Sequence, residues 1–289
     1  MQVRTSPTVR ARRLRQQLRR LRDAHGLTLE QVATASEGSF NASTVGRYET
    51  GDRIPRQGDL RILLDIYGVE GDERATLLAL AREARQRGWW WPDRQSLKAG
   101  FDIYLGLESE ASTVRTYQSQ LLHGLLQTEE YARSVIKAIT MTAPQQEVEQ
   151  LVELRMARKQ RLVQAEPLGL WAVLDEAVLT RRVGGSKVMG AQLRHLVDIG
   201  RQPNVTIQVL PAELGAHPAM EGPFYILQFP EPDDLDVVYL EQPTSSLAIE
   251  SEAEVSRYTL TFGQLTAMAL TPEKSMEFIA SKADELQTP

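Results

Sequence analysis

The sequence predicts an α+β chain in two domains. Capping residues and helical apolar spacing dominate residues 1–87, short β-rich runs crowd residues 205–249, and the net charge changes sign between these regions. A chain of 289 residues is long enough to bury two cores. The expected division is a helical head over 1–87, a Trp-rich connector over 88–110, and a body over 111–289 built of helices and a mostly antiparallel sheet.

The head is clearest over residues 27–55, LTLEQVATASEGSFNASTVGRYETGDRIP. Thr28 is placed as an N-cap, with Gln31 three residues on closing a capping box. Leu29, Val32 and Ala33 then give one apolar face at helical spacing. Asn41 is a good N-cap for a second helix, in which Val45 and Tyr48 point inward. Ala42, Ser43, Thr44, Gly46 and Arg47 line the outer face or its edge. Gly51 suits the left-handed residue that ends a helix, and Pro55 stops any continuation. Glu49 falls in the last turn, where the dipole disfavours a carboxylate, so a basic partner from the arginines of the preceding helix is expected. Two short helices around a tight turn, with small polar residues and one arginine outward, are what laying a helix in a major groove requires.

Charge distribution separates this from a plain helical hairpin. Residues 1–22 hold eight arginines and no acid. Residues 1–87 hold sixteen arginines, no lysine and eleven acids, a net of +5; the chain carries −5, so the remainder carries −10. A basic head on an acidic chain is an electrostatic footprint confined to one end. Arg10, Arg12, Arg13, Arg19 and Arg20 are expected to reach phosphates from the flank, contacts that set affinity and not sequence choice.

The segment NASTVGRYETG, residues 41–51, resembles the recognition helix of the Xre/Cro/phage-repressor family. The resemblance implies a five-helix, lambda-repressor-like domain, with helix one at about 8–24, helix four at about 59–67 and helix five at about 72–85. It also implies base contacts from Ala42, Ser43 and Arg47. Ala42 offers an apolar contact, Ser43 serves either base type, and Arg47 pairs bidentately with guanine. Thr28, Asn41, Thr44, Arg53, Arg12 and Arg13 complete the residues expected at the DNA. The turn over 36–40 is about two residues longer than in phage repressors.

Composition excludes several classes. With 42% hydrophobic and 25% charged residues the chain is not a disordered one. No apolar run approaches the roughly 20 residues of a membrane helix, and the N-terminus lacks the apolar core of a secretory signal. The absence of cysteine removes disulfides, zinc–thiolate sites and cysteine nucleophiles. A cytoplasmic, nucleoid location is expected.

In the connector, Gly88-Trp89-Trp90-Trp91-Pro92 reads as an aromatic clasp; the alternative is a stacking platform for a flat ligand. Residues 104–117 then show an apolar-and-acid helical pattern. Gln127-Thr128-Glu129-Glu130-Tyr131 starts a helix with acids in its first turn, and Pro144 opens a long helix reaching about 164. Residues 168–174 read as a buried strand and 186–199 as a helix. Residues 205–210, 224–229, 237–241 and 246–249 are successive strands, spaced too closely for crossover helices and therefore antiparallel. Two helices close the chain, the last starting at Thr271-Pro272-Glu273.

The body resembles the C-terminal domain of a group of actinobacterial Xre-type regulators, the antitoxin-like or WhiJ-like family. The matching residues are GLLQTEEYAR at 124–133, Arg155 with Arg158, Lys159 and Gln160, LDEAVL at 174–179, PNVTIQVLP at 203–211, Phe224, and DVVY at 236–239. His123 stands where that family usually has proline. The resemblance implies a transcription regulator that binds double-stranded DNA as a homodimer and is controlled by a small neighbour-encoded partner protein. The alternative is a small-molecule sensor, whose pocket Trp171, His217 and Tyr225 are expected to line. No cofactor or metal and no catalysis is expected. The four histidines show no four-residue spacing, and neither a phosphate-binding glycine loop nor a G-x-S-x-G elbow occurs. Asp175-Glu176 at a strand end suits helix capping better than acid–base work.

Overall fold

Local capping chemistry sets the helices of the head: α1 (Pro7–Ala24), α2 (Leu29–Ala35), α3 (Ala42–Thr50), α4 (Gln57–Ile66) and α5 (Gly71–Glu83). The computed structural model describes residues 7–51, 53–86, 88, 90, 97–98, 100–231 and 234–286. The chain divides into two units, residues 1–91 with 105–110, and residues 92–104 with 111–289. Of the aromatic run, Gly88 and the buried Trp90 are described, whereas Trp89, Trp91 and Pro92 lie outside the described residues.

In the first unit the expected capping box forms. The Gln31 amide nitrogen donates to Thr28 Oγ1 at 3.2 Å, and Thr28 N–H donates to Gln31 Oε1 at 2.8 Å. Leu14, Leu18, Val32, Val45, Tyr48 and Leu63 are buried together in the core, one or two from each of α1 to α4. Glu49 finds its basic partner in Arg22 of α1. Arg22 Nε and Nη2 donate to the two carboxylate oxygens at 2.7 and 2.9 Å, and Nη1 donates to the Leu27 carbonyl at 2.8 Å. Donation to the Glu49 carboxylate is the main reason the Arg22 pKa is raised. One guanidinium thereby ties α1, α3 and the loop before α2.

The second unit takes in the first turn of α6 (Phe101–Glu110) and is organised on one sheet. Its elements in order are β1 (Thr113–Gln118), α7 (Glu129–Ile139), α8 (Gln145–Arg158), β2 (Gly169–Asp175), α9 (Glu176–Thr180) and α10 (Ser186–Ile199). Then follow β3 (Val205–Leu210), β4 (Phe224–Gln228), β5 (Val237–Glu241), β6 (Ser246–Ile249), α11 (Glu252–Met268) and α12 (Pro272–Glu285). The strand order is β3-β2-β1-β4-β5-β6.

Two expectations are corrected. Residues 104–117 are not one helix: α6 ends at Glu110 and β1 follows. The segment TVRTYQ is β-branched and aromatic, and it lies at the centre of the sheet between β2 and β4, where burial on both faces obscures strand alternation. The sheet is mixed. The pairs β1–β2 and β2–β3 are parallel, because α7 with α8 and α9 with α10 supply the long connections parallel pairing needs; β1–β4, β4–β5 and β5–β6 are antiparallel. Pro144 caps α8 as the residue before it and does not occupy its first position. Thr271 and Pro272 behave as expected, the Lys274 amide donating to Thr271 Oγ1 at 3.3 Å.

Replacing Glu49 by alanine is expected to destabilise the protein by about 2 kcal/mol, since the half-buried Arg22 then loses its two-pronged carboxylate partner and keeps only Asp23, at 2.8 Å. Urea unfolding of Glu49→Ala, Arg22→Ala and the double variant measures this; additive single effects would show that the two side chains do not couple.

Candidate nucleic-acid interface

The turn between α2 and α3 spans 36–41 and is held by the Ser36 side chain together with a backbone bond from the Ser39 amide to the Ser36 carbonyl at 3.0 Å. Ser36 Oγ donates to the Ala33 carbonyl at 2.7 Å and accepts from the Phe40 amide at 3.3 Å. Glu37 and Gly38 carry φ values of 51° and 85°, so the turn makes a left-handed reversal. Asn41 then caps α3: the Thr44 amide donates to its Oδ1 at 2.8 Å, and Thr44 Oγ1 donates to the same atom at 3.0 Å. At the far end Gly51 adopts φ 89°, where an added Cβ would lie 2.8 Å from Arg15 Nη1. Arg15 Nη1 donates to the Thr50 carbonyl at 3.0 Å, and the Arg53 amide donates to the Arg47 carbonyl at 3.1 Å. Carbonyls left open by the helix end are thus satisfied.

What α3 presents outward is Ser43, Arg47 and Thr50, all exposed and spaced to form one ridge, with Asn41 exposed ahead of it. Ala42 and Gly46 are half-buried on its flank. Thr44 is a correction: the bond to Asn41 turns it inward, and it is buried. Thr28 is exposed, but its hydroxyl is engaged in the capping box.

Beside the start of α3 lies an open cleft of about 570 Å3, lined in part by Ser39, Asn41, Tyr48, Arg53, Arg56 and Asp59. Tyr48 donates to Asp59 Oδ2 at 2.6 Å; burial, and then this bond, push its phenol up to about 12. The Arg53 guanidinium lies 5.9 Å from the Tyr48 ring centre, and both Arg53 and Arg56 are exposed. Two guanidiniums beside a helix N-terminus suit a phosphate.

The arginines of α1 divide. Arg12 is 4% exposed, so its expected phosphate contact is not available in this structure. Arg10 pairs with Glu83 at 3.1 Å, Arg13 is half-buried, and Arg22 and Arg15 are committed as described. Arg19 and Arg20 are exposed.

In the second unit the three residues expected to line a pocket do not share one. Thr116 aligns with both Ala172 and Tyr225, which places Tyr225 on the face opposite Trp171, the neighbour of Ala172. Trp171 packs edge-on against Phe262 of α11 and donates from Nε1 to Gln208 Oε1 at 2.8 Å. His217 meets Tyr117, whose hydroxyl is 3.2 Å from both His217 Nε2 and Asp175 Oδ2. Its Nδ1 accepts from the Ala219 amide, and Asp175 caps α9 through the Ala177 amide at 2.9 Å. The cluster pins the loop after β3 to the ends of β1 and β2. Tyr225 instead joins Tyr104, His123 and Tyr239 on the other face. His123 keeps the extended backbone that proline would impose (φ −54°, ψ 138°) and adds a cap, accepting from the Leu125 amide.

Residues 101–281 match the family described as Domain of unknown function (DUF5753). The chain belongs to the DUF5753 family. Residues 13–77 match a helix-turn-helix domain, which points to DNA-binding transcriptional regulation. No curated protein and no solved structure matches the chain. The DUF5753 match begins at the first residue of α6 and ends inside α12, so it takes in the whole sheet. The helix-turn-helix match holds all of α2 to α4 and hence the α3 ridge. Among the described residues no helix is long and apolar enough to cross a membrane. The cleft arginine Arg56 escaped the sequence reading; its position directly before α4 was the available signal.

Asn41→Ala is expected to cost about 1 kcal/mol in urea unfolding, the usual loss of a side-chain cap. Arg53→Gln is expected to weaken all DNA sequences alike and to reduce the salt slope of binding by about one. Arg12→Gln is expected to leave that slope unchanged and to lower stability. Binding isotherms across a salt series, paired with denaturation curves, separate the two.

Proposed function

We propose that this DUF5753 protein is a sequence-specific transcriptional regulator of the Xre type that reads a palindromic operator as a homodimer. Each protomer lays α3 in a major groove, with Arg47 on a guanine, Ser43 on the adjoining base, and Arg53 and Arg56 on the backbone. The observation that supports this best is the Ser43–Arg47–Thr50 ridge, exposed on a short helix capped at both ends. The protein works in the cytoplasm, on the nucleoid, and has no catalytic activity of its own.

In this reading the second unit controls the first through a small neighbour-encoded partner protein, in the antitoxin-like manner. A groove of about 420 Å3 supports it, with Leu235, Val255 and Leu260 as apolar lining and Asp236, Glu250 and Glu252 as acids. Leu260 is 70% exposed. Such a groove suits a basic amphipathic segment. The second reading, control by a small effector, draws on the polar interior around Tyr225.

Genomic fragments recovered with the purified protein, with and without the neighbour-encoded protein, test both levels. Twofold-related half-sites are expected. Arg47→Ala is expected to cost about 1–3 kcal/mol and to relax base preference at one position per half-site. Selection of an unchanged operator by Arg47→Ala would remove Arg47 from base reading.

A further inference from the structure

The two edges of the sheet in the second unit are treated differently. The strand order leaves β3 and β6 outermost. An edge strand offers backbone donors and acceptors to any other strand, and folds ordinarily cover or blunt it. The β3 edge is covered. The Val209 amide donates to Ser275 Oγ of α12 at 2.9 Å, and the Leu270 amide donates to the Val209 carbonyl at 2.9 Å.

The β6 edge is open. Its segment SLAI holds no charge and no proline, and its register with β5 runs without a bulge from Ser246 to Ile249. The hairpin joining the two strands decides which groups face outward. The Gln242 amide donates to the Ser245 carbonyl at 2.9 Å, so these residues are a hydrogen-bonded pair across a two-residue loop. Such pairs alternate along an antiparallel ladder. Leu247 opposite Leu240 and Ile249 opposite Val238 therefore bond to β5, and the amides and carbonyls of Ser246 and Ala248 point away from it. Among the described residues nothing hydrogen-bonds to these outward groups. Residues 98 and 100 lie over a side-chain face of this hairpin, Lys98 pairing with Glu241 and Gly100 standing against Ser246 Oγ.

Leu247 is the apolar residue left outside. It shares a sheet face with Val238, Leu240 and Ile249, which belong to the core packed against α11. It lies one strand beyond Leu240 and is 55% exposed.

We propose that β6 pairs antiparallel with β6 of a second copy of this chain, about a twofold axis at Leu247. The proposal rests on the homodimer of the preceding reading and assigns it an interface. In this register Ser246 faces Ala248 of the second copy and Ala248 faces its Ser246, which satisfies every outward group of both strands. The two Leu247 side chains meet as a non-hydrogen-bonded pair, the closer kind, with Cα atoms about 4.5 Å apart. The apolar layer under α11 then runs on from one sheet into the other. Charge fits the same register: Glu250 comes opposite Thr244 of the second copy and not opposite another Glu250. A strand of four residues buries less than the roughly 1,000 Å2 of a stable interface. The pairing is therefore weak and concentration-dependent in the free chain, and a twofold operator holding two heads strengthens it.

The chain has no cysteine, so a single introduced thiol reports only on its own neighbours. Under mild oxidation of the full chain, Leu247→Cys is expected to give a disulfide-linked dimer at least about tenfold faster than Ala248→Cys or the exposed Leu260→Cys. Ala248 meets its own copy only diagonally, about 7–8 Å away, beyond the reach of a disulfide. Ala248→Pro removes an outward donor and no bond to β5. Sedimentation over a concentration series is expected to show a reversible monomer–dimer equilibrium whose midpoint rises at least about tenfold in Ala248→Pro. Circular dichroism checks the fold, and the cysteine rates decide alone if Ala248→Pro does not fold. Leu247→Cys crosslinking no faster than Ala248→Cys, or wild-type self-association in a folded Ala248→Pro, overturns the β6 pairing. A dimer that persists in those cases keeps the homodimer and moves its interface elsewhere. A wild type monomeric at every concentration and on recovered operator fragments overturns the homodimer too. If the wild type does not self-associate and Ala248→Pro loses the neighbour-encoded protein, the edge belongs to a strand of that protein and the pairing of two copies is overturned.

Discussion

The Arg22–Glu49 pair is the constraint on which the DNA-facing architecture depends. A carboxylate in the last turn of a helix works against the dipole. Here that unfavourable placement is turned into an attachment point, because the same carboxylate takes both arms of a guanidinium from α1. The third nitrogen of that guanidinium holds the Leu27 carbonyl just ahead of α2. A nine-residue helix has little stability of its own in water. The direction of α3 must therefore come from tertiary ties: Glu49 near one end, the Asn41 cap at the other, and Val45 with Tyr48 in the core between them. Once those are made, Ser43, Arg47 and Thr50 stand exposed along one side of the helix.

The arginines around that helix show why composition alone cannot assign roles. A run of eight basic side chains in the first 22 residues reads as one electrostatic surface. In the fold, Arg10, Arg15 and Arg22 hold Glu83, the end of α3 and Glu49, and Arg12 lies under the surface. Within α1, Arg19 and Arg20 are left exposed, and other exposed guanidiniums lie elsewhere in the head, Arg47, Arg53 and Arg56 among them. A basic face at a helix–helix contact and a basic face toward DNA use the same residue type, and only the partner side chain across the gap tells them apart.

Features set within four residues were legible in the sequence, and those set across the sheet were not. The capping box of α2, the caps of α3 and α12 and the acidic first turn of α7 follow from short-range chemistry, while the distant partner of Glu49 was legible only as a charge that needed an answer. Thr44 was misplaced because it shares the Asn41 oxygen with its own amide, a detail helical spacing does not encode. The strand β1 was hidden because a central strand loses its alternation, and the acids and aromatics of the preceding helix run into it. The expected pocket failed on parity. Trp171 and Tyr225 lie on strands flanking β1, but register puts them on opposite faces, and no local pattern carries register between distant strands.

The second unit shows the same separation between sum and placement. Residues 88–289 carry a net of −10, which predicts an acidic outside. It does not predict the inside, where Arg155, Arg158 and Lys159 meet behind a turn of carbonyls and hydroxyl-bearing rings. Replacing buried charge with apolar side chains of similar volume is commonly neutral or stabilising, so a cationic interior is a poor way to hold a fold together. The neighbouring framework is also costly. Gln127 spends both ends of its amide on Arg155 and the Leu122 carbonyl, and Gly124 gives up a side chain to make room for Arg158. A core needing only cohesion would have used the Leu and Val that cover the opposite face against α11. What these cations do hold is the turn: Arg155 and Lys159 both donate to Gln127, which fixes residues 124–127 against the end of α8.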